Sequence, residues 1–548
     1  MSCTPTPTEL SSSHPIPDSH PRSAVTARRI AMPVPSSAVF DRLNALVAID
    51  PGAKRKTRPI LEAFSGKEIA QIPVGTAADL RAAVAAARVA QQGWAAKTPA
   101  QRAEVLFEFA RLVNRDAEAL MDMVQAESGK ARQYAQEEVV DTALTARHYA
   151  NSGPAALAEH KVKGMIPGAT SVRVRYQPKG VVGVISPWNY PLTLAVSDAV
   201  AALLAGNAVV IKPDSQTPYC ALSAAELLYE AGLPRELFAV VPGPGSVVGQ
   251  EIVAQTDYVM FTGSSATGSA LAAQAGQRLI GFSAELGGKN PLIITAGASL
   301  DRAVPGAARA CYSNSGQLCI SIERIYVEKS IADEFTSRFV AHVNAMKLGA
   351  AYDFSVDMGS LASAAQVEAV QTHLDDAVAN GARVLAGGKR REDLGPFFFE
   401  PTVLADVTDA AACFRQETFG PLVAIYPVDS VDEAIKAAND TEYGLNASVF
   451  AGSSSEANAI ADQLRAGTVN INEGYAAAWG STAAPMGGMG ASGVGRRHGD
   501  EGLLKYTEPQ TIAEQRFFGL DGVRGVPQSL FLKATPMAMD ALKYLPGR

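Results

Sequence analysis

Two residues framed by glycines are the best equipped for chemistry. Cys319 lies in Gly316-Gln317-Leu318-Cys319-Ile320-Ser321, and Glu285 in Ala284-Glu285-Leu286-Gly287-Gly288-Lys289-Asn290. A thiol nucleophile and a carboxylate base suggest covalent chemistry on a carbonyl, followed by attack of water. A third group suits the same chemistry: Asn189, between Trp188 and Tyr190 after an apolar run, has an amide that can donate to an oxyanion. Singly, each has an ordinary reading. A lone cysteine is commonly a small buried hydrophobe, a glutamate a surface carboxylate and an asparagine a turn former. Only together do they describe a catalytic set.

The elements that must position these groups are short apolar strands alternating with helices. Val181–Ser186, Ala208–Lys212, Phe238–Pro242 and Tyr258–Phe261 are apolar runs; Leu192–Ala205, Ala221–Ala231 and Val247–Ala254 between them have helical spacing. This pattern predicts βαβ units and a parallel sheet. Ligands of such sheets sit at the carboxyl ends of strands, which singles out Pro187-Trp188-Asn189, Lys212-Pro213-Asp214-Ser215 and Thr262-Gly263-Ser264. A second α/β pattern begins at Pro291, with strands Leu292–Thr295 and Arg324–Val327 and helices Ala303–Ser315 and Ala332–Met346. Ahead of both, Thr76–Asn151 reads as mostly helix, and Thr170–Tyr176 alternates like a half-exposed strand. Glu285, before Gly287 and Gly288, is expected in a turn, and the glycine-dense Pro485–Gly495 is expected to be loop.

Thr262-Gly263-Ser264-Ser265-Ala266-Thr267-Gly268 follows a strand and opens a helix, where backbone N–H groups attract phosphate. It is neither GxGxxG nor a Walker loop, and a plain tight turn fits it as well. Lys212 reads as a solvated strand-end lysine or as a cation for a ribose or its 2′-phosphate. A carboxylate near it would repel that phosphate, whereas Ser215 would accept it; Asp214 complicates the choice.

With 548 residues, about three domains are expected. A net charge of −7 disfavours nucleic acid as a partner. The five cysteines are scattered and form no CxxC pair, so neither a disulfide framework nor a metal site is expected, and a reducing cytoplasm fits. The most apolar stretch, Leu192–Ile211, contains Asp198 and Asn207, too polar for a clean membrane span. Residues 1–38, rich in Ser, Pro and Thr, read as a disordered tail without the apolar core of a secretory signal.

The chain resembles an aldehyde dehydrogenase of the NAD(P)-dependent superfamily over essentially all of Val39–Gln515. The matching runs are Pro187-Trp188-Asn189-Tyr190-Pro191, Lys212-Pro213-Asp214-Ser215-Gln216-Thr217-Pro218, Phe261-Thr262-Gly263-Ser264, Glu285-Leu286-Gly287-Gly288-Lys289, Gly316-Gln317-Leu318-Cys319, Glu417-Thr418-Phe419-Gly420-Pro421 and Pro485-Met486-Gly487-Gly488-Met489-Gly490-Ala491-Ser492-Gly493. Within the superfamily it is most similar to bacterial enzymes that oxidise succinate semialdehyde with NADP.

The resemblance implies an α/β fold in three parts. These are a Rossmann-like dinucleotide-binding domain (39–156 and 178–286), an α/β catalytic domain (287–490) and a small β oligomerisation element (157–177 and 491–515), followed by an extension (516–548). It implies Cys319, Glu285, Asn189 and Lys212 as catalytic residues, with Cys319 forming a thiohemiacetal and then a thioester that Glu285 hydrolyses. It implies NADP held by Trp188, Asn189, Lys212, Pro213, Asp214, Ser215, Gly263, Ser264, Gly268, Leu286, Glu417 and Phe419. Lys289 is expected to steady the loop near Glu285, and the chain to form a homodimer or homotetramer. Three departures bear on the substrate. Ser313 and Ser197 stand where better-known relatives place carboxylate-holding arginines, and Met486 and Met489 replace an aromatic and a lysine. Oxidation of apolar or aromatic aldehydes is therefore the alternative, with Tyr190, Leu194, Ile320, Tyr475 and Trp479 lining an apolar tunnel. Leu530–Leu545 is expected to form an amphipathic helix packed on protein rather than on a membrane.

Overall fold

The computed structural model describes residues 34–542 except 51, 53, 166–168, 518, 520 and 521. Most of the expected tail, residues 1–33, lies outside the described residues, as do 543–548. The tail boundary at 38 is corrected: the helix Ser37–Asn44 begins inside it, because Phe40 and Leu43 find a core to enter.

The first sheet has six strands, in the order Gly493–Val494, Gly281–Glu285, Tyr258–Thr262, Val181–Ile185, Ala208–Lys212, Phe238–Val240. All pairs are parallel except that Gly493–Val494 runs against Ala284 and Glu285. Val181–Ile185 and Ala208–Lys212 are buried along their whole length, as a sheet covered on both faces requires. The chain lays down Val181–Ile185 first, winds outward to Phe238–Val240, then returns to place Tyr258–Thr262 on the other side. The order therefore reverses between Ile185 and Thr262, and a crevice opens at the carboxyl ends of those strands.

The second sheet has seven strands: Arg383–Ala386, Thr402–Ala405, Leu422–Val428, Ile322–Glu328, Asn290–Ile294, Asn446–Phe450 and Thr468–Ile471. Only its first pair is antiparallel. A third, antiparallel sheet joins Thr507–Gln515, Thr170–Pro178 and His160–Val162. Among the described residues no helix is long and apolar enough to cross a membrane.

Several elements differ from expectation. Glu285 ends a strand, Gly281–Glu285, rather than standing in a turn. The Pro485–Gly495 segment is not all loop, because Gly493–Val494 adds to the sheet edge. That pairing needs only backbone groups, so no side-chain pattern announces it. The helix expected to reach Ser315 is Leu300–Tyr312, and it stops where Asn314 and Ser315 take φ of 51° and 56°. The C-terminal helix is Gln528–Leu542, with Leu530, Leu532 and Met537 exposed.

Candidate active site

A cavity of about 260 Å³ opens at the reversal point of the first sheet and is closed on its far side by loops of the second. Of the residues singled out from sequence, Trp188, Asn189, Gly263, Ser264, Glu285, Leu286, Cys319, Glu417 and Phe419 line it. Thr262, Gly287 and Gln366 line it too.

Cys319 is held by a turn that few sequences adopt. Asn314, Ser315 and Gly316 are left-handed in succession, with Gly316 at φ 72°. A Cβ on Gly316 would stand 2.2 Å from the Gly420 carbonyl oxygen, so glycine lets the thiol loop lie on the Glu417 loop. The Ser321 hydroxyl donates to the carbonyls of Ala310 (3.1 Å) and Cys311 (3.0 Å), tying the loop to its helix. The Asn290 amide donates to the carbonyls of Cys319 (2.8 Å) and Ser321 (2.7 Å). Asn189 is laced to the same loop: its amide donates to the Gln317 carbonyl at 3.0 Å, and Asn314 donates to the Asn189 carbonyl at 3.0 Å.

Two buried ion pairs, not foreseen as such, fix the loops. Lys130 and Glu138 pair with no exposed side-chain surface. The Lys130 ammonium also donates to the Asn189 carbonyl (2.7 Å) and sits 3.7 Å over the Tyr190 ring. Glu138 Oε2 accepts the N–H groups of Leu192 (2.8 Å) and Thr193 (3.1 Å) where the helix Thr193–Leu204 begins, the end that favours an anion. Lys289 pairs with Glu323, whose carboxylate accepts the N–H groups of Thr418 and Phe419, each at 3.0 Å. Lys289 therefore ties its own loop, which follows Glu285, to the Glu417 loop through Glu323. No sequence period marks a buried lysine, so neither Lys130 nor Glu138 had a local signal.

Glu417 Oε1 accepts the Gly288 N–H at 2.9 Å, and a Cβ on Gly287 would lie 2.3 Å from its other oxygen. Phe419, at φ 53°, meets Trp188 edge to face at 5.5 Å. Burial pushes Glu417 up to about 8 and Glu285 up to about 7. The Cys319 thiol is pushed up to about 12, by burial first and then by Glu417. Arg497 opposes the rise at both Cys319 and Glu285.

The rest of the expected set stands elsewhere. Lys212, expected among the catalytic groups, does not line this cavity. It ends the strand beside Ile185, and its ammonium donates to the Pro213 carbonyl at 2.8 Å. Ser215 donates to the Gly243 carbonyl at 3.3 Å, and Asp214 caps its own turn by accepting the Gln216 N–H at 2.9 Å. Pro213 and Gly268 are likewise off the cavity wall. Gly268 makes room for it instead, since a Cβ there would meet Leu286 at 2.6 Å. Gly263 and Ser264 stand before the helix Ser265–Gln277, whose first N–H groups suit a pyrophosphate. Among the described residues no group of three or more His, Cys, Asp or Glu is placed to hold a metal ion.

Beside Cys319 lies an apolar cluster of Tyr190, Leu194, Leu318, Ile320, Tyr475, Trp479 and Met486. Ser313 borders it: the Tyr475 hydroxyl is 2.9 Å from Ser313 Oγ and 2.8 Å from Glu137 Oε2. Arg309, one helical turn before Ser313, pairs with Glu137 at 2.7 Å and stands 5.7 Å over the Tyr475 ring.

Comparison with known proteins agrees with this geometry. The model of the aldehyde dehydrogenase family matches residues 50–512. A Mycolicibacterium smegmatis protein named "Putative succinate-semialdehyde dehydrogenase", with NADP(+) in its name, is 62% identical over 94% of this chain and 100% of its own. The NAD+ complex of an aldehyde dehydrogenase from Bacillus cereus superposes with a TM-score of 0.80 at 35% identity, over 84% of this chain and 93% of that one. A structure described as an E. coli NADP dependent enzyme gives 0.82 at 33% identity, over 87% and 99%. A thiol, a carboxyl group and an amide meeting at the crevice of a doubly wound sheet thus occur in a chain that belongs to the aldehyde dehydrogenase family.

Proposed function

We propose that this chain oxidises succinate semialdehyde to succinate with NADP as the hydride acceptor. The observation that carries the reading is the meeting of Cys319, Asn189, Glu285 and Glu417 in one cavity. The substrate is supported by the names of relatives at 62–63% identity. The residues present fit a dinucleotide. The helix start at Ser264 suits the pyrophosphate, Glu417 the nicotinamide ribose, and the space that Gly287 leaves keeps the Glu417 carboxylate in place.

With its thiol pushed up to about 12, Cys319 rests protonated and yields its proton to solvent as it reacts. The thiolate attacks the aldehyde carbon, the C=O π electrons move to oxygen, and a thiohemiacetal oxyanion forms. One Asn189 amide hydrogen is engaged by Gln317; the other, with the Cys319 N–H, is assigned to that oxyanion. Such donors are typically worth about 2.7–4 kcal/mol each. NADP, when bound, supplies the acceptor for the hydride that leaves carbon. Glu285 then takes a proton from water as the water's oxygen attacks the thioester, and passes it to the departing sulfur, so that the carboxylic acid leaves with the thiol restored.

A second reading, oxidation of apolar or aromatic aldehydes, is favoured by the apolar cluster beside Cys319 and by serine at 313 and 197. Arg309, at the edge of that cluster, is the cation we assign to the far carboxylate of succinate semialdehyde. Comparing kcat/KM for succinate semialdehyde, benzaldehyde and hexanal tests the choice. A semialdehyde value tenfold below the others, about 1.4 kcal/mol of transition-state binding, overturns the substrate. Turnover that requires coenzyme A overturns hydrolysis. We further infer a homodimer or homotetramer joined through the strand Thr507–Gln515, the terminal strand of its three-stranded sheet. A reducing cytoplasm suits the free cysteines Cys220, Cys311, Cys319 and Cys413.

A further inference from the structure

Behind Glu285 lies a cluster of charges that the steps above do not use. Asp198, on the helix Thr193–Leu204, accepts from Arg497 (2.8 Å), Lys505 (3.0 Å) and the Tyr506 hydroxyl (3.1 Å). Asp198, Arg497 and Tyr506 are all buried, and the Lys505 side chain is only 10% exposed. One carboxylate thus faces two cations, which leaves an unmatched positive charge away from water. An unmatched buried charge is costly; burial pushes the Lys505 ammonium down, and a further anion nearby offsets the cost.

The geometry names that anion. Arg497 also donates to the Thr262 hydroxyl at 3.1 Å, and Thr262 is the parallel-strand partner of Glu285. Paired residues on neighbouring strands project from the same face, about 4.8 Å apart. From the other side, Met486 and Arg497 exchange backbone hydrogen bonds of 2.7 Å, which places Gly487 next to the arginine. A Cβ on Gly487 would stand 2.8 Å from Glu285 Oε1. The Arg497 Nε–H is buried without a partner. A guanidinium with a free donor and a carboxyl group therefore share one corner between the hairpin and the sheet.

We infer that Arg497 is the counter-charge of Glu285, a positioning residue that with Lys505 orients the base and fixes the pH at which it takes a proton. The other groups that face this corner are Asp141 from the helix Arg132–Ala156, Arg496 and His498 from the hairpin, and Cys319 from the thiol loop. Burial first, and then Arg497, pushes His498 down to about 3, so it stays neutral. Arg496 is turned to the carbonyls of Gly488 (3.0 Å) and Gly495 (2.7 Å). Asp141 is engaged by the Thr193 hydroxyl, and the carboxyl group that acts on Arg497 next after Asp198 is Glu285.

The inference rests on the reading of Glu285 as the hydrolytic base, but its test does not need turnover. The titration of Glu285 is followed as the protonated-carboxyl infrared band that Glu285→Gln removes. Arg497→Gln should raise its midpoint by one pH unit or more, and Arg497→Lys should restore most of the difference. Asp198→Asn, which adds unmatched positive charge, should lower it. In steady-state oxidation the acid limb of the pH profile should move in step. A folded Arg497→Gln protein with an unmoved midpoint overturns the inference and leaves Arg497 as a structural tie to Asp198. Should that variant not fold, Lys505→Met removes the other cation and is read in the same way, with no upward shift overturning the proposal. A wild-type enzyme that oxidises no aldehyde overturns the proposed function instead, and the infrared titration still decides the role of Arg497.

Discussion

Cys319 and Glu285 carry separable halves of the proposed reaction, and variants should separate them. Cys319→Ala is expected to abolish aldehyde oxidation while NADP still quenches tryptophan fluorescence with an unchanged Kd; turnover near the wild-type rate would remove Cys319 as the nucleophile. Glu285→Gln should keep a burst of NADPH in stopped flow yet slow the steady rate by about 10²–10⁴-fold, the usual worth of a general base. The pH dependence follows from the same residue. Glu285 works as its carboxylate and titrates near 7, so the steady rate should fall as pH drops through about 7 and level off above it. A rate flat from pH 5.5 to 8 would exclude Glu285 as the base. Ser215→Glu should move preference from NADP toward NAD, read as the ratio of kcat/KM for the two. An unchanged ratio would mean that Lys212 or Asp214 sets the selectivity.

Among the elements, the loops matter more than the strands, because the loops bring the two sheets' residues into one cavity. Gly287 is one such tight joint: alanine there would drive a Cβ to 2.3 Å from the Glu417 carboxylate. Gly287→Ala is expected to raise the Kd for NADP at least tenfold with little change in melting temperature, as measured by calorimetric titration and thermal denaturation. The Lys130–Glu138 pair is a different case. Removing one partner of a buried pair leaves a bare charge, typically a loss of 3–5 kcal/mol. Lys130→Met should therefore lower urea stability by about that much and loosen the Asn189 loop. A double variant with Glu138→Leu should recover part of the loss. If the double variant is no more stable than the single one, the pair is not coupled in this way.

Over the whole molecule, burial sets how stability depends on pH. Glu127 and Glu417 are raised to about 8, Asp141 and Glu285 to about 7, each chiefly by burial. Unfolded carboxyls titrate near ~4. Each of these groups binds its proton more tightly when folded. Its contribution to stability is complete below about pH 4 and is lost as pH rises through about 7 to 8. Asp198 and Asp79 are depressed and act in the opposite sense, but only under acid conditions. The cofactor-free protein should therefore melt at a lower temperature at pH 8.5 than at pH 6 by calorimetry, and a rise over that interval would refute the assignment.

The sequence by itself determined the candidate groups that meet in the cavity and most of the parallel strands and helices that hold them. Val181–Ile185, Ala208–Lys212 and Tyr258–Thr262 are apolar runs bounded by loops, and Cys319 and Glu285 stand among glycines, so their signals are local. Only the tertiary structure decided that Glu285 ends a strand, that Lys212 lies off the Cys319 cavity, and that Lys130, Glu323 and Arg497 are buried charges beneath the site. The physical reason is distance along the chain. A buried charge is defined by partners from other segments, as Arg497 is by Asp198 and Thr262, and no local pattern of residues encodes that meeting.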